Sequence, residues 1–517
     1  MTTDTPLNKL VHTLEKYRFT LLFTLLAIFI YFPIFLHLTY MPIRAWDESI
    51  VGSNAVEMLH NHNYIVTWYN GAPDMSNCKP PLMLWCIVFF SKIFGFSELS
   101  MRLPSAIAAL ALCIYLFYIL RKCTGSYLYA FFTVLVLITC QGYIRNHVTR
   151  TGEYDSLLVT FSTIFSLNLY VAIQATSKRE QGKYLFLFFV FLTLAVLTKG
   201  IAPVMQLPGL FVYTLVSKKV LPFLRSKAFY AGVAFFMVFG IGFYFLRESF
   251  NPGYLKAVWL NELGGRFGGS LEGHQGEITF YLNEILTWQF AGYLLLLPVA
   301  LLYGTIVADG PIKRLVIFSV CIGVSFLFFI SVAVTKLPHY DAPLFPYLSI
   351  IIASLFYGFY AFMRNQFSIN YRVLSASALS FLIALLFIVQ PYSAIISKVY
   401  FPHGDPWEEG FSVSCRYFQQ VAAGKIDNSN HYKIVLDIDK TYGYGSIAEC
   451  YKEELDEKGL NPGFIKHTEL LPGDSAVVLD GWTKHLIDEQ YQTETIKHLD
   501  ICNADIIAVK TLKTIPQ

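Results

Sequence analysis

Residues 18–48 read RFTLLFTLLAIFIYFPIFLHLTYMPIRAWDE, and this stretch decides what kind of molecule the chain makes. Residues 21–38 form an apolar run that can cross a bilayer as a helix, which needs about 20 residues at about 1.5 Å each. Lys9, Lys16 and Arg18 precede it and no small-residue cleavage site follows. The run exceeds a signal-peptide core, so it reads as a retained first span. Its end runs straight into Arg44-Ala45-Trp46-Asp47-Glu48, an acidic pair at the membrane surface.

The rest of the chain repeats the pattern. Of 517 residues, 55% are hydrophobic and 15% charged, against about 25% charged in a soluble protein. Apolar runs fall at 18–40, 101–121, 126–145, 155–175, 183–199, 201–217, 228–247, 288–308, 314–334, 341–363 and 372–392. Residues 81–94 are apolar but short, with Lys92 near the end. If they lie in the interface, Lys9/Lys16/Arg18, Arg121/Lys122, Lys178/Arg179/Lys183, Lys218/Lys219/Arg225/Lys227, Lys313/Arg314 and Arg364/Arg372 all fall on one side, as the positive-inside rule requires. If they cross, the first cluster lands opposite the others.

The expected architecture is therefore an all-α polytopic membrane protein of about 11–13 spans with juxtamembrane helices. A membrane domain covers 1–395, with outer loops at 41–100 and 248–287. The polar tail, 396–517, reads as a small extracytoplasmic α/β domain, with strands at 432–437, 476–479 and 506–509 and helices at 447–457 and 484–489. This places the amino terminus inside and the tail outside. The nine cysteines lack zinc-like spacing, and among Cys415, Cys450 and Cys502 one disulfide could form. A net charge of +3 gives no sign of nucleic-acid binding.

Charge placement narrows the function. The span interiors hold almost no Asp, Glu, Lys or Arg, whereas pumps and coupled transporters keep such groups at mid-depth. The charges crowd the outer ends instead, which suits an enzyme working at the interface. Asp47 or Glu48 can take a proton from an acceptor hydroxyl, or serve as an acidic cap for the next helix. Asp155, in Glu153-Tyr154-Asp155, carries the same two readings. Two acidic pairs on one face can together hold a divalent cation.

Lys79, in Cys78-Lys79-Pro80-Pro81, can bind a phosphate or snorkel to the interface, and Lys336 has the same ambiguity. Arg102 offers a guanidinium at a span start or a structural anchor. The stretch 261–269, NELGGRFGG, places Glu262 and Arg266 among glycines, with His274 beyond; such a loop can order over a bound lipid.

Taken in order, Asp47-Glu48, Lys79-Pro80, Phe94-Gly95 with Arg102-Leu103-Pro104-Ser105, Asp155, Leu197-Thr198-Lys199-Gly200, Asn261-Glu262 to Arg266-Phe267 and His274, and Lys336-Leu337-Pro338-His339-Tyr340 resemble the GT-C glycosyltransferases of the protein O-mannosyltransferase and lipid A aminoarabinose transferase superfamily. The last motif and Leu-Thr-Lys-Gly look most like the bacterial aminoarabinose branch. The resemblance covers about residues 40–345 and implies a GT-C fold. It also implies a polyprenyl-phosphate sugar donor, inversion at the anomeric carbon and a site at the outer face of the inner membrane.

It further implies that Asp47, with Glu48 and Asp155, is catalytic. Lys79, Arg102, Glu262, Arg266, His274, Lys336 and Tyr340 would bind donor phosphate or substrate. Asp47, Asp155 and His274 are the candidates for a divalent metal. Some relatives carry an acidic residue where this chain has Cys78. The acceptor could be a lipid A-like glycolipid, another glycan or a protein, the last making a protein O-mannosyltransferase. A lipid-linked sugar flippase is the competing class; it calls for mid-membrane polar groups or a repeated half, and the sequence has neither.

Overall fold

The computed structural model describes residues 13, 16–265, 269, 273–366, 372–402, 409–426, 432–435, 442–460, 463–479 and 481–513. Every apolar run contains a helix: α1 (Arg18–Phe35), α4 (Glu98–Thr124), α5 (Tyr127–Ile138), α6 (Asp155–Gln174), α7 (Lys178–Lys199), α8 (Leu207–Val216), α9 (Lys227–Phe250), α10 (Leu296–Val307), α11 (Gly310–Val332), α12 (Phe345–Gln366) and α13 (Arg372–Tyr400). Between the first two of these lie α2 (Asp47–Asn61) and α3 (Leu82–Phe94).

Among the described residues, seven helices are long and apolar enough to cross a membrane, and α1, α5, α8 and α10 are shorter apolar helices in the remaining runs. Three of these, α8, α5 and α10, are shortened for local reasons. The 201–217 run carries Pro203 and Pro208, and a proline removes an amide donor and clashes with the preceding turn; the chain takes a 3-10 turn over Ala202–Gln206 before α8 begins. α5 ends at Ile138, and the rest of its run folds into turns at the bundle end. α10 begins only after irregular turns at Ile285–Gln289 and Ala291–Tyr293.

At 13 residues α3 is about 20 Å long. It buries Met83, Leu84, Ile87 and Val88 and exposes Phe89, Ile93 and Phe94. This is the amphipathic pattern of a helix lying along an apolar boundary.

The carboxy-terminal region forms a five-stranded sheet, β1 (Lys433–Val435), β2 (Phe464–Ile465), β3 (Ser475–Val478), β4 (Tyr491–Leu499) and β5 (Ala504–Leu512), in the order β2-β1-β3-β5-β4. β1 pairs parallel with β2 and β3, and β5 pairs antiparallel with β3 and β4. The 436–437 end of the expected first strand lies outside the described residues. Both expected helices are present as α15 (Tyr442–Glu457) and α16 (Gly481–Gln490), after α14 (Glu409–Ala422). Cys415, Cys450 and Cys502 are buried and not joined by a disulfide, so the pairing that the sequence allowed is not made.

α15 packs directly on α2. A Cβ at Gly52 would meet the Cys450 sulfur at 2.6 Å, so glycine permits the close approach. His60 pairs with Glu453 at 2.7 Å, and Tyr451 accepts from the Ile43 amide at 2.9 Å while donating to Glu98 at 2.8 Å. Glu457 takes the Phe96 amide at 2.7 Å. The tail domain thereby clamps the helix whose first residue is Asp47.

Candidate active site

Two arginines fix where the acidic pair sits. Arg150 donates to the carbonyls of Ile34 and Leu36 at the end of α1 (2.8 and 2.7 Å). Arg102 donates to those of Leu38, Met41 and Pro42 at 2.7–2.9 Å. These contacts satisfy carbonyls that the helix end leaves without partners. They bring the 36–46 turn against α4 and the 139–154 turn.

Consecutive residues on a helix point about 100° apart, so Asp47 and Glu48 must face different surroundings. Glu48 faces inward and is 1% exposed. Arg102 grips it with two bonds of 2.8 Å, and the amides of Arg44 and Gly152 donate to it at 2.9 and 2.8 Å. Burial alone would raise its pKa; the Arg102 charge, the Arg102 hydrogen bonds and the two amides outweigh that and hold it low. All of its acceptor capacity goes to holding the fold.

Asp47 faces outward, its side chain 57% exposed. Its Oδ2 lies 3.6 Å from His147 Nδ1, which bonds Glu153 at 2.7 Å. One ligand atom from each of Asp47, His147 and Glu153 lies within 4.8 Å of the others. Both Trp46, just before Asp47, and His147 adopt left-handed φ of 65°, a conformation that costs bulky residues roughly 1–3 kcal/mol and that gathers at functional sites.

Glu153 Oε1 is buried without a hydrogen-bond partner. Burial, followed by the charges of Asp47 and Glu48, pushes its pKa up against the opposing pull of His147. For His147, burial works downward, but Glu153 and Asp47 outweigh it and raise the imidazole's pKa. The His147 ring stacks on His339, centroids 4.6 Å apart and nearly parallel.

Asp155, two residues beyond Glu153, turns the other way. Lys199 holds both its oxygens at 2.7 Å, and the Lys199 ammonium sits 4.9 Å from the Tyr340 ring centroid. These residues line a cavity together with Lys79 and Glu262, and the apolar side chains of Leu158, Met205, Phe326 and Ile330 line it as well. Lys79 lies 3.4 Å from Asn77 Oδ1 and 5.2 Å from the Tyr154 ring centroid. The cavity thus has both charged and apolar lining.

The two clusters share a wall. Glu153 serves the Asp47 cluster and Asp155 the cavity, with Tyr154 between them. Likewise His339 stacks on the cluster while Tyr340 lines the cavity.

Of the residues singled out from sequence, Asp47, Asp155, Lys79, Glu262 and Tyr340 converge here. Arg102 and Glu48 neutralise each other below it. Lys336 donates to the carbonyls of Ile330 (3.3 Å), Ser331 (2.8 Å) and Ala333, capping α11. Burial lowers its pKa. His274 is exposed, its carbonyl accepting the Lys336 amide at 2.9 Å. Arg266 lies outside the described residues.

The metal candidates regroup: the cluster with suitable geometry joins Asp47 to His147 and Glu153, whereas Asp155 is engaged by Lys199. Lys199 was visible inside Leu-Thr-Lys-Gly but drew no role. His147 had no local signal, since its partners lie 100 residues away or on another face of the same turn.

Comparison with known proteins agrees with this architecture. Residues 78–243 match the family described as dolichyl-phosphate-mannose-protein mannosyltransferase. Two proteins of Aquifex aeolicus (strain VF5), both described as uncharacterized, are 26% identical over 323 residues and 29% identical over 360. The matches cover 62% and 68% of this chain, and they span 60% of the first relative's length and 75% of the second's. The crystal structure of ArnT from Cupriavidus metallidurans bound to undecaprenyl phosphate superposes with a TM-score of 0.66 at 16% identity, covering 94% of this chain and 97% of that one. The chain has the GT-C fold expected from its motifs.

Proposed function

We propose that this chain is an inverting glycosyltransferase that moves a sugar from a polyprenyl phosphate carrier, such as undecaprenyl phosphate, to an envelope acceptor of the lipid A-like glycolipid type. The observation that carries the reading is the shared wall. A cavity lined by Lys79, Lys199 and apolar side chains is joined through Glu153-Tyr154-Asp155 and His339-Tyr340 to a cluster that holds an exposed carboxylate. A polyprenyl phosphate calls for both kinds of lining, with an anionic head on an apolar chain. The ArnT crystal structure contains such a lipid.

The chemistry asks for little more. Phosphate on an anomeric carbon already leaves readily, so no acid need protonate it. Asp47 accepts the proton of the acceptor hydroxyl as its oxygen bonds the anomeric carbon, and the carbon–phosphate oxygen bond breaks on the opposite face. The departing polyprenyl phosphate keeps the electron pair, and the lysines stabilise the charge that develops there. Asp155 and Tyr340 hold Lys199 in place for that role.

The donor set of one imidazole and two carboxylates fits a divalent cation, and the partnerless Glu153 Oε1 favours one. Asp47, His147 and Glu153 would hold the ion, which would supply Lewis-acid charge beside the acceptor oxygen. The basic loop clusters belong to the opposite ends of α4, α6, α8, α10 and α12. This supports a cytoplasmic amino terminus in the inner membrane, with the site and the tail domain outside.

The test is reconstitution in proteoliposomes with a polyprenyl-phosphate-linked radiolabelled sugar and an extracted envelope glycolipid. The expected product carries the sugar with inverted configuration, and free polyprenyl phosphate is released in equal amount. Translocation of the donor without any product would replace the transferase with a flippase.

A further inference from the structure

Lys79 lines the cavity from a turn that other side chains hold in place. Its ammonium donates to Asn77 Oδ1 at 3.4 Å. The Asn77 amide nitrogen donates twice, to Tyr154 Oη at 2.8 Å and to Asn54 Oδ1 at 2.9 Å. Asn54 extends the chain of contacts, its amide nitrogen donating to the Trp68 carbonyl at 2.7 Å and to Asp74 Oδ2 at 3.1 Å. Both asparagines are buried. Each uses both amide hydrogens and its carbonyl oxygen, which fixes the way the side chain faces. Turning Asn77 over would set its NH2 group against the Lys79 ammonium.

The turn is pinned on both sides of Asn77. Asp74 Oδ1 accepts the amides of Ser76 and Asn77 at 2.8 and 2.9 Å. Arg247 of α9 donates to the Asp74 carbonyl at 3.0 Å, and Tyr254 Oη donates to that of Cys78 at 2.8 Å. An ammonium on a four-carbon stem has little positional preference of its own. Here the Asn77 oxygen and the Tyr154 ring, its centroid 5.2 Å away, draw it to one place. The contacts lead back to α2. Asn54 follows Asp47 by seven residues, which on a helix is two turns along the same face and about 10 Å of rise. One rigid element thus carries the carboxylate at its start and the anchor of the lysine two turns on.

We infer that Asn54 and Asn77 are positioning residues, a relay that holds Lys79 for the donor phosphate at a set distance from Asp47. The inference rests on the transferase reading and deepens it: both asparagines act through Lys79 and neither serves as a ligand of the donor. The spacing matters because the leaving phosphate and the attacking oxygen lie on opposite faces of the anomeric carbon. A misplacement of about 1 Å between such groups can cost about a hundredfold in rate.

The test is a double-mutant cycle on the full chain in nanodiscs, titrated with undecaprenyl phosphate and with its uncharged counterpart, undecaprenol. Asn77→Ala and Asn54→Ala should each weaken undecaprenyl phosphate about fivefold, and Tyr154→Phe, which keeps the ring, about threefold. Undecaprenol binding should stay within about twofold of wild type in all three, since the relay acts on the charged head alone. In the Lys79→Ala background the same three changes should have no further effect, because no ammonium is left to hold. In turnover the loss falls on kcat/KM for the donor, and the acceptor KM is unchanged. Thermal unfolding identifies the folded variants; Tyr154→Phe, the mildest change, carries the same cycle where an asparagine variant does not fold.

The same loss in the wild-type and Lys79→Ala backgrounds, or a matching loss of undecaprenol binding, makes the asparagines structural and overturns the inference. Variants that bind undecaprenyl phosphate as wild type does overturn it too. So does a wild type that binds undecaprenyl phosphate no more tightly than undecaprenol, which removes Lys79 as a phosphate ligand. If the cycle comes out as expected but wild type transfers sugar from no donor, the transferase reading falls while the relay stands.

Discussion

Asp47 and Glu48 are neighbours in sequence and opposites in setting. Glu48 is sealed in, with a guanidinium and two amides using its oxygens. Asp47 is more than half exposed, and its ion-pair contact among the described residues is His147, at 3.6 Å. The Asp155–Lys199 pair lies between these extremes, bidentate yet opening on a cavity. A charge whose hydrogen-bonding capacity is spent on the fold maintains position, and a charge left short of partners is available for chemistry. The identity of the residue does not separate the two roles; the number of donors aimed at it does.

The contrast can be broken in several ways. Glu48→Gln should cost about 3–5 kcal/mol of stability, because it leaves the buried Arg102 uncompensated. Replacing both, as Glu48→Leu with Arg102→Met, should recover much of that loss. Thermal unfolding in detergent reads both, and a Glu48→Gln protein as stable as wild type would remove the structural assignment.

Next in size is Glu153→Gln, which should weaken Mn2+ or Zn2+ binding by at least about 10–100-fold, the loss that even an outer-shell partner of a ligand causes. Calorimetric titration checks it. Lys79→Ala should lower undecaprenyl phosphate affinity about tenfold, in keeping with about 1.5 kcal/mol for a charge-assisted contact. Lys336→Ala should leave that affinity unchanged and cost about 0.3–1 kcal/mol of stability, the worth of a cation at a helix carboxy end.

The smallest expected effect is on pH dependence. His147 and Glu153 both have raised folded-state pKa values. The stability contributed by protonated His147 is therefore complete below its ordinary value of about 6.5 and is lost as pH rises through the raised value. Glu153 acts in the same direction from its own lower reference. Wild-type melting temperature should fall as pH rises above about 6.5, and His147→Gln should flatten that fall.

Much of this molecule was legible as sequence because a membrane span is a local property. Each apolar run contains a helix, and 81–94 holds one of 13 residues. The one-ended crowding of charge was equally legible. Pairing was not. The 100° step between Asp47 and Glu48 says that one must turn inward but not which one, since that depends on Arg102, 54 residues on. Lys336 read as a phosphate ligand because nothing local shows that its own helix end would claim the ammonium. His147 was invisible because its meaning comes from Asp47, Glu153 and His339 together. β2 and β4 escaped for a related reason: short or exposed strands take their order from neighbours and carry little pattern of their own.

One substitution tests the division of labour most directly. Asp47→Asn keeps the size of an exposed side chain and removes its charge and basicity, so purified protein should melt within about a degree of wild type and bind undecaprenyl phosphate normally while sugar transfer falls by about a thousandfold or more. Transfer at the wild-type rate from a folded Asp47→Asn protein would contradict the account and move the chemistry away from this cluster.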